Sequence, residues 1–189
     1  MKTRLSFFKR TQDIKEKSFK RFNEWSKKYD KSVLQRLVFR RSHDMFMENI
    51  VKDKRAFKIL DIGCGTGEFA LKLKEKRQDV YFAGVDISTE MISVAKKKFN
   101  SDGRVEFHVS DAEHIPYGDN TFDYITCSHS FHHYPNKRKV IREMFRVLKD
   151  DGKVMIIDGY KDSPRGVFIF DFIVRRHEVN VHHLHSKQS

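Results

Sequence analysis

Cysteine is scarce in this sequence. The 189 residues hold two, Cys64 and Cys127, far apart and without a zinc-type spacing. Neither a disulfide framework nor a bound metal is expected. Long apolar runs are missing as well, and a membrane span needs roughly 18 such residues. The longest candidate, "GVFIFDFIV" at 166–174, is short and interrupted by Asp171. The N-terminus "MKTRLSFFKR" is basic but has neither the apolar core nor the small-residue cleavage site of a secretory signal. Internal repeats and low-complexity tracts are absent. The expectation is a reduced, cytoplasmic protein with no integral membrane segment.

What is present suits a folded protein. Charged residues make up 34% and apolar ones 39% of a chain long enough for one α/β domain with a full core. The net charge of +12 is unevenly spread: residues 1–56 carry 17 Lys/Arg against 7 Asp/Glu, and residues 57–189 carry 21 against 19. A strong basic excess suggests a nucleic-acid partner, but here it belongs to the N-terminal segment. That segment lacks strand alternation, and Leu34, Leu37, Val38, Met45 and Phe46 recur at helical spacing. Two helices with a break near Tyr29–Lys31 are expected. Phe7, Phe8, Phe19, Phe22 and Trp25 interleave with Lys and Arg, which fits an amphipathic helical lid with a solvated face, or a docking face for nucleic acid or membrane. The division expected is a basic helical segment, 1–56, and a domain, 57–189.

From residue 57 onward short apolar runs alternate with amphipathic stretches. The runs are "FKILDIG" (57–63), "VYFAGVD" (80–86), "RVEFHVSD" (104–111), "FDYITCS" (122–128) and "KVMIIDG" (153–159). Helix-like stretches cover 67–77, 89–99 and 137–149. Strands alternating with helices predict a doubly wound, mostly parallel α/β sheet covered on both faces.

The first run enters a turn with glycines at 63, 65 and 67, within "FKILDIGCGTGEFA". In a doubly wound sheet, ligands bind beyond the carboxyl ends of the strands, where the strand order reverses. A dinucleotide fingerprint needs G-x-G-x-x-G; counted from Gly63, its last place holds Glu68, and no Gly-Lys-Ser/Thr of a P-loop follows. The loop suits a ligand without a diphosphate. Asp86 ends the second run, where a carboxylate can accept both hydroxyls of a ribose. Asp111, followed by Ala112, ends the third and can read an adenine. Asp61 sits inside the first strand and can orient the loop or meet an ammonium. Each Asp alone reads equally as a cap or turn residue; three at successive strand ends around one glycine turn point to a nucleoside site.

With these residues in view, the chain resembles the class I S-adenosylmethionine-dependent methyltransferases, in the branch of the ubiquinone and menaquinone C-methyltransferases. "ILDIGCGTG" is similar to their first motif, "VDIS" (85–88) to the acidic ribose motif, and "DAEHIPYGDNTFDYI" (111–125) to the adenine motif. "VIREMFRVLKDDGKVMIIDG" (140–159) resembles the helix and fifth strand that follow. The resemblance implies S-adenosyl-L-methionine as cofactor, a Rossmann-like fold and a methyl-transferring enzyme. It implies that Asp61, Gly63, Gly65, Thr66 and Gly67 surround the methionine part. Asp86 would hold the ribose, and Asp111 with Ala112 the adenine. Ile87 would line the adenine face and Ser128 would lie near the methyl group. It also implies two further strands after residue 189, so an open fifth-strand edge is expected, covered by the tail or a partner.

Methyl transfer from a sulfonium needs alignment and exclusion of water, and some acceptors need a base. The loop "SHSFHHYPN" (128–136) faces that space, making His129 and His132 catalytic candidates, with His133 beside them. A His pair there is equally loop structure. Tyr29 of a "YD" pair is a candidate to close over the cofactor, and His177, His182, His183 and His185 form a histidine-rich tail. "GVFIFDFIV" is expected as a helix near the acceptor pocket. The acceptor expected is small or lipid-like. The alternatives are an RNA or protein methyltransferase docking through the basic segment, and a non-catalytic cofactor-binding protein.

Overall fold

The computed structural model describes residues 12–13, 15–17, 19–20, 23–24, 33–99, 102–159 and 169–175. Tyr29, Asp30 and the histidines of the tail lie outside these residues, as does the break expected near residue 30.

Five strands follow the expected runs: β1 (Lys58–Ile62), β2 (Tyr81–Asp86), β3 (Val105–Val109), β4 (Phe122–Ser128) and β5 (Leu148–Gly159). Four helices lie among them: α1 (Val33–Ile50), α2 (Glu68–Lys76), α3 (Thr89–Lys98) and α4 (Lys137–Val147). The described residues between 12 and 24 are helical as well. Side-chain oxygens set two of the helix starts. Ser88 accepts the N–H of Met91 to open α3, and Asn136 accepts that of Lys139 to open α4.

The strands pair in the order β3-β2-β1-β4-β5-β6, parallel from β3 through β5. Their side chains alternate between two cores, as the period of two requires. Ile59, Phe82, Met155 and Ile157 face one side, with α1, α2 and α3. Leu60, Ile62, Ala83, Val85, Val154 and Ile156 face the other, with α4. Helix α1 belongs to the first core outright. Phe46, Met47 and Ile50 are buried there beside Phe57 and Phe69.

Two expectations about the far edge are corrected. The described part of "GVFIFDFIV", residues 169–174, is strand and not helix: β6 (Ile169–Arg175) runs antiparallel to β5, pairing Lys153 with Arg175 through Gly159 with Ile169. The doubly wound sheet therefore has an antiparallel strand on the β5 edge, and does not leave that edge for a partner or the tail. The physical reason is composition. "IFDFIVR" is aromatic and β-branched, residue types that favour an extended chain when a neighbouring strand offers its backbone. Strand β5 also starts earlier than expected. Leu148 is already extended and opposite Phe122, and the register then slips before Tyr124 meets Lys153.

Because β1 lies between β2 and β4, the connections leave it in opposite directions. The crevice opens there, beyond the carboxyl end of β1.

Candidate functional site

The glycine turn is built on left-handed backbone. Gly63, Gly65 and Gly67 have φ of 75°, 53° and 80°, a region only glycine enters without strain. At Gly63 a side chain would also collide. A Cβ there would sit 2.4 Å from Ser130 Oγ and 2.5 Å from Ser130 Cβ. The loop after β4 is thus seated on the turn after β1. Ser130 Oγ donates to the Ile62 carbonyl at 3.1 Å and receives the Tyr134 hydroxyl at 3.0 Å.

Asp86 ties the turn to β2. Its Oδ2 accepts the Gly65 N–H at 2.9 Å, and its Oδ1 accepts the Ser88 N–H at 2.9 Å. Burial raises its pKa, against the opposing effect of the N–H donors of Ser88, Gly65 and Ile87. Asp61, only 5% exposed, accepts a 2.8 Å hydrogen bond from Thr126 Oγ1. Burial pushes its carboxyl up to about 7, with the Thr126 bond opposing and the Asp86 charge adding.

Around the turn lies a cleft of about 750 Å³, open mouth included. Its walls come from four strand ends. Ile62 ends β1 and Gly63 and Gly65 follow it, while Val85 and Asp86 end β2 and Ile87 follows. Ser110, Asp111 and Ala112 follow β3, and Ser128 ends β4 with His129 and Ser130 after it. An adjoining pocket shares Gly63, Gly65 and Ser128 with it and adds Asp61, Thr66, Phe39 and His43. Where the two meet, the buried Ser128 Oγ has no hydrogen-bond partner among the described residues. An orphaned buried hydroxyl costs on the order of 1–3 kcal/mol, which a polar ligand atom would recover.

Of the residues singled out in the sequence, Gly63, Gly65, Asp86, Ile87, Asp111, Ala112, Ser128 and His129 line the cleft, and Asp61 and Thr66 the adjoining pocket. Gly67 lines neither; it opens α2 as its N-cap. The two candidate catalytic histidines part company. His129 is at the cleft with φ of 52°, and its Nε2 lies 2.8 Å from Ser42 Oγ. Burial depresses its pKa, so it is neutral near pH 7. His132 does not line the cleft; its Nδ1 lies 2.6 Å from Asp158 Oδ1 and its backbone N–H donates to Asp158 Oδ2 at 2.7 Å. His133 and Tyr134 do line it.

Sequence reasoning missed Lys15, Ser130 and His43. Lys15 lines the cleft beside Asp111 and pairs with it; no local motif marks it. Burial depresses His43 to about 3, so it is a neutral wall. Both cysteines are buried, and burial pushes Cys127 up to about 12. Among the described residues no cluster could hold a metal ion, and no helix is long and apolar enough to cross a membrane.

Comparison with known proteins gives a consistent result. The family described as "Methyltransferase domain" matches residues 60–156. A Bacillus subtilis relative, "Uncharacterized methyltransferase YcgJ", is 34% identical over 139 residues, covering 72% of this chain and 53% of its own. Its crystal structure aligns with a TM-score of 0.58 over 66% of this chain and 53% of that one, at 33% identity. The demethylmenaquinone methyltransferase of Thermotoga maritima is 33% identical over 147 residues, 76% of this chain and 62% of that protein. A "SAM dependent methyltransferase" from Aquifex aeolicus aligns with a TM-score of 0.58 at 26% identity, over 66% of this chain and 68% of that one. The chain spans between half and two thirds of the length of the first of these curated relatives.

Proposed function

The chain belongs to the methyltransferase-domain family, and from that premise we propose that it transfers a methyl group from S-adenosylmethionine to a small-molecule or lipid-like acceptor. The observation that carries the reading is the convergence of Asp61, Asp86 and Asp111 on one left-handed glycine turn at the switch point of the sheet.

The residues fit the cofactor. Bound S-adenosylmethionine supplies a methyl group already activated on a sulfonium, so the protein has to bind, align and keep water out. Asp86 keeps lone pairs for ribose hydroxyls while holding the Gly65 and Ser88 amides. Asp111 and the Ala112 amide present an acceptor and a donor to a purine edge. Asp61 meets an ammonium through a carboxylate already aligned by Thr126. Gly63 and Gly65 let backbone approach the methionine portion, and Ser128 Oγ offers the unpaired hydroxyl there. Nothing in the turn is arranged for a diphosphate.

For the acceptor, His129 is neutral and at the cleft, so it can take up a proton at a ring nitrogen. The small or lipid-like acceptor follows the relatives, since the Thermotoga maritima protein is named for a demethylmenaquinone acceptor. In this reading residues 57–189 carry the glycine turn and the acidic strand ends, residues 1–56 add Lys15, Phe39 and His43 to the walls, and the location is cytoplasmic.

Calorimetric titration of the full chain with S-adenosylmethionine tests the proposal, with Asp86→Asn beside the wild type. The amide keeps one accepting oxygen for the loop but loses the paired acceptor for ribose. Binding weakened about tenfold or more is expected, since a charge-assisted hydrogen bond is worth roughly 1.5–3 kcal/mol. No binding by a folded wild-type chain overturns the reading.

A further inference from the structure

Lys15 and Asp111 are 96 residues apart, yet Lys15 Nζ lies 2.6 Å from Asp111 Oδ2. The same ammonium is 2.9 Å from Glu113 Oε1. The pair is well withdrawn from water, with the side chains of Lys15 and Asp111 18% and 30% exposed. Burial works against the charged lysine, but the hydrogen bonds and charges of the two carboxylates outweigh it and raise its pKa.

The geometry at Asp111 matters most. Its Oδ1 is committed to the Glu113 N–H at 3.0 Å. Oδ2 is the oxygen left for a ligand in the cleft, and Lys15 holds it. A second contact ties the same segment to the neighbouring strand end, where Ser88 Oγ donates to Asn23 Oδ1 at 2.6 Å. Residues 15 and 23 therefore both reach the rim where a ribose and a purine would lie under the function proposed above.

We propose that Lys15 is a latch on the purine end of the cleft. Its ion pair with Asp111 holds residues 15–17 at the site, and a purine amino group binds by taking the Asp111 oxygen from it. The displaced ammonium is not stranded. Glu113 is a second acceptor within its present reach, so the lysine pivots to that carboxylate and no buried charge is left unpaired. Lys139 stands 3.9 Å from Glu113 on the other side and shares in balancing it.

A competitor of this kind has a measurable signature. Breaking a partly exposed ion pair costs up to about 1 kcal/mol, which is a factor of about five in affinity. The probe is S-adenosylhomocysteine, which carries the same nucleoside and amino-acid groups without the sulfonium charge. Lys15→Met should bind it about fivefold more tightly than the wild type. Added salt should tighten wild-type binding, by screening the ion pair, and leave the variant unchanged.

Each outcome decides something. Unchanged or weaker binding by Lys15→Met overturns the latch while leaving the cofactor reading intact. Wild-type affinity that does not rise with added salt does the same. Absence of binding by both the wild type and Lys15→Met overturns the cofactor reading and the latch with it. Binding by Lys15→Met alone supports both.

Discussion

Gly63 carries two constraints at once: a backbone φ of 75° and a Cβ position already filled by Ser130. Gly63→Ala should therefore destabilise the chain by about 2–4 kcal/mol, the left-handed penalty and the overpacking together, as read by urea unfolding. Wild-type stability would show that the loop after β4 yields. Asp61 makes a different kind of prediction. In the unfolded chain its carboxyl has an ordinary value of 3.8, and in the fold burial pushes it up to about 7. Between those values the folded state keeps a proton that the unfolded chain has released. The stability this group contributes is therefore present at low pH and falls away as pH rises toward 7. An ammonium beside it favours the carboxylate. S-Adenosylhomocysteine should accordingly bind on the order of tenfold more tightly at pH 7.5 than at pH 5.5. In Asp61→Asn that pH dependence should flatten, and a slope unchanged in the variant would assign it elsewhere.

At the scale of elements, the loop carrying Asp111 is held from outside itself. Arg146, in the last turn of α4, donates to the Ile115 carbonyl at 2.9 Å, the Tyr117 carbonyl at 2.7 Å and Asp119 Oδ1 at 2.9 Å. Glu143, one turn earlier, orients it through Oε1 and Oε2 and accepts the Ile115 N–H at 2.9 Å. One guanidinium thus fixes residues 115–119 against α4. Arg146→Met keeps the stem and removes these bonds. It should cost on the order of 2 kcal/mol and weaken cofactor binding through the loosened Asp111 loop. Arg146→Lys should rescue little, because an ammonium cannot reproduce the planar fork. Stability unchanged in Arg146→Met would mean that the loop holds its shape alone.

Over the whole molecule, the N-terminal region does more than carry charge. Phe46 is 1% exposed and sits in the core that includes Phe69 and the sheet residues Phe82 and Ile59, while Ser42, on the same helix, meets His129. Helix α1 therefore closes one face of the sheet and reaches the cleft. Phe46→Ala should cost about 3–5 kcal/mol, measured by thermal or urea unfolding. A loss under about 1 kcal/mol would show that α1 rests on the domain without completing its core.

The chain's own order already determined the sheet, the glycine turn and the three acidic strand ends. Those features are local: a strand's run, its turn and the residue that ends it are contiguous, and short-range sterics and periodicity suffice to read them. The glycine count from Gly63 to Glu68 was likewise enough to set aside a dinucleotide loop. Only the tertiary structure decided the rest. Strand β6 depends on an edge of β5 being open to pair with, a condition that no property of "IFDFIVR" states. His129 and His132 look alike in "SHSFHHYPN", and Asp158, 26 residues on, takes the second ring. Lys15 was one basic residue among many until the fold carried Asp111 to it. Contacts between distant residues are set by how elements pack, and packing is a property of the whole chain.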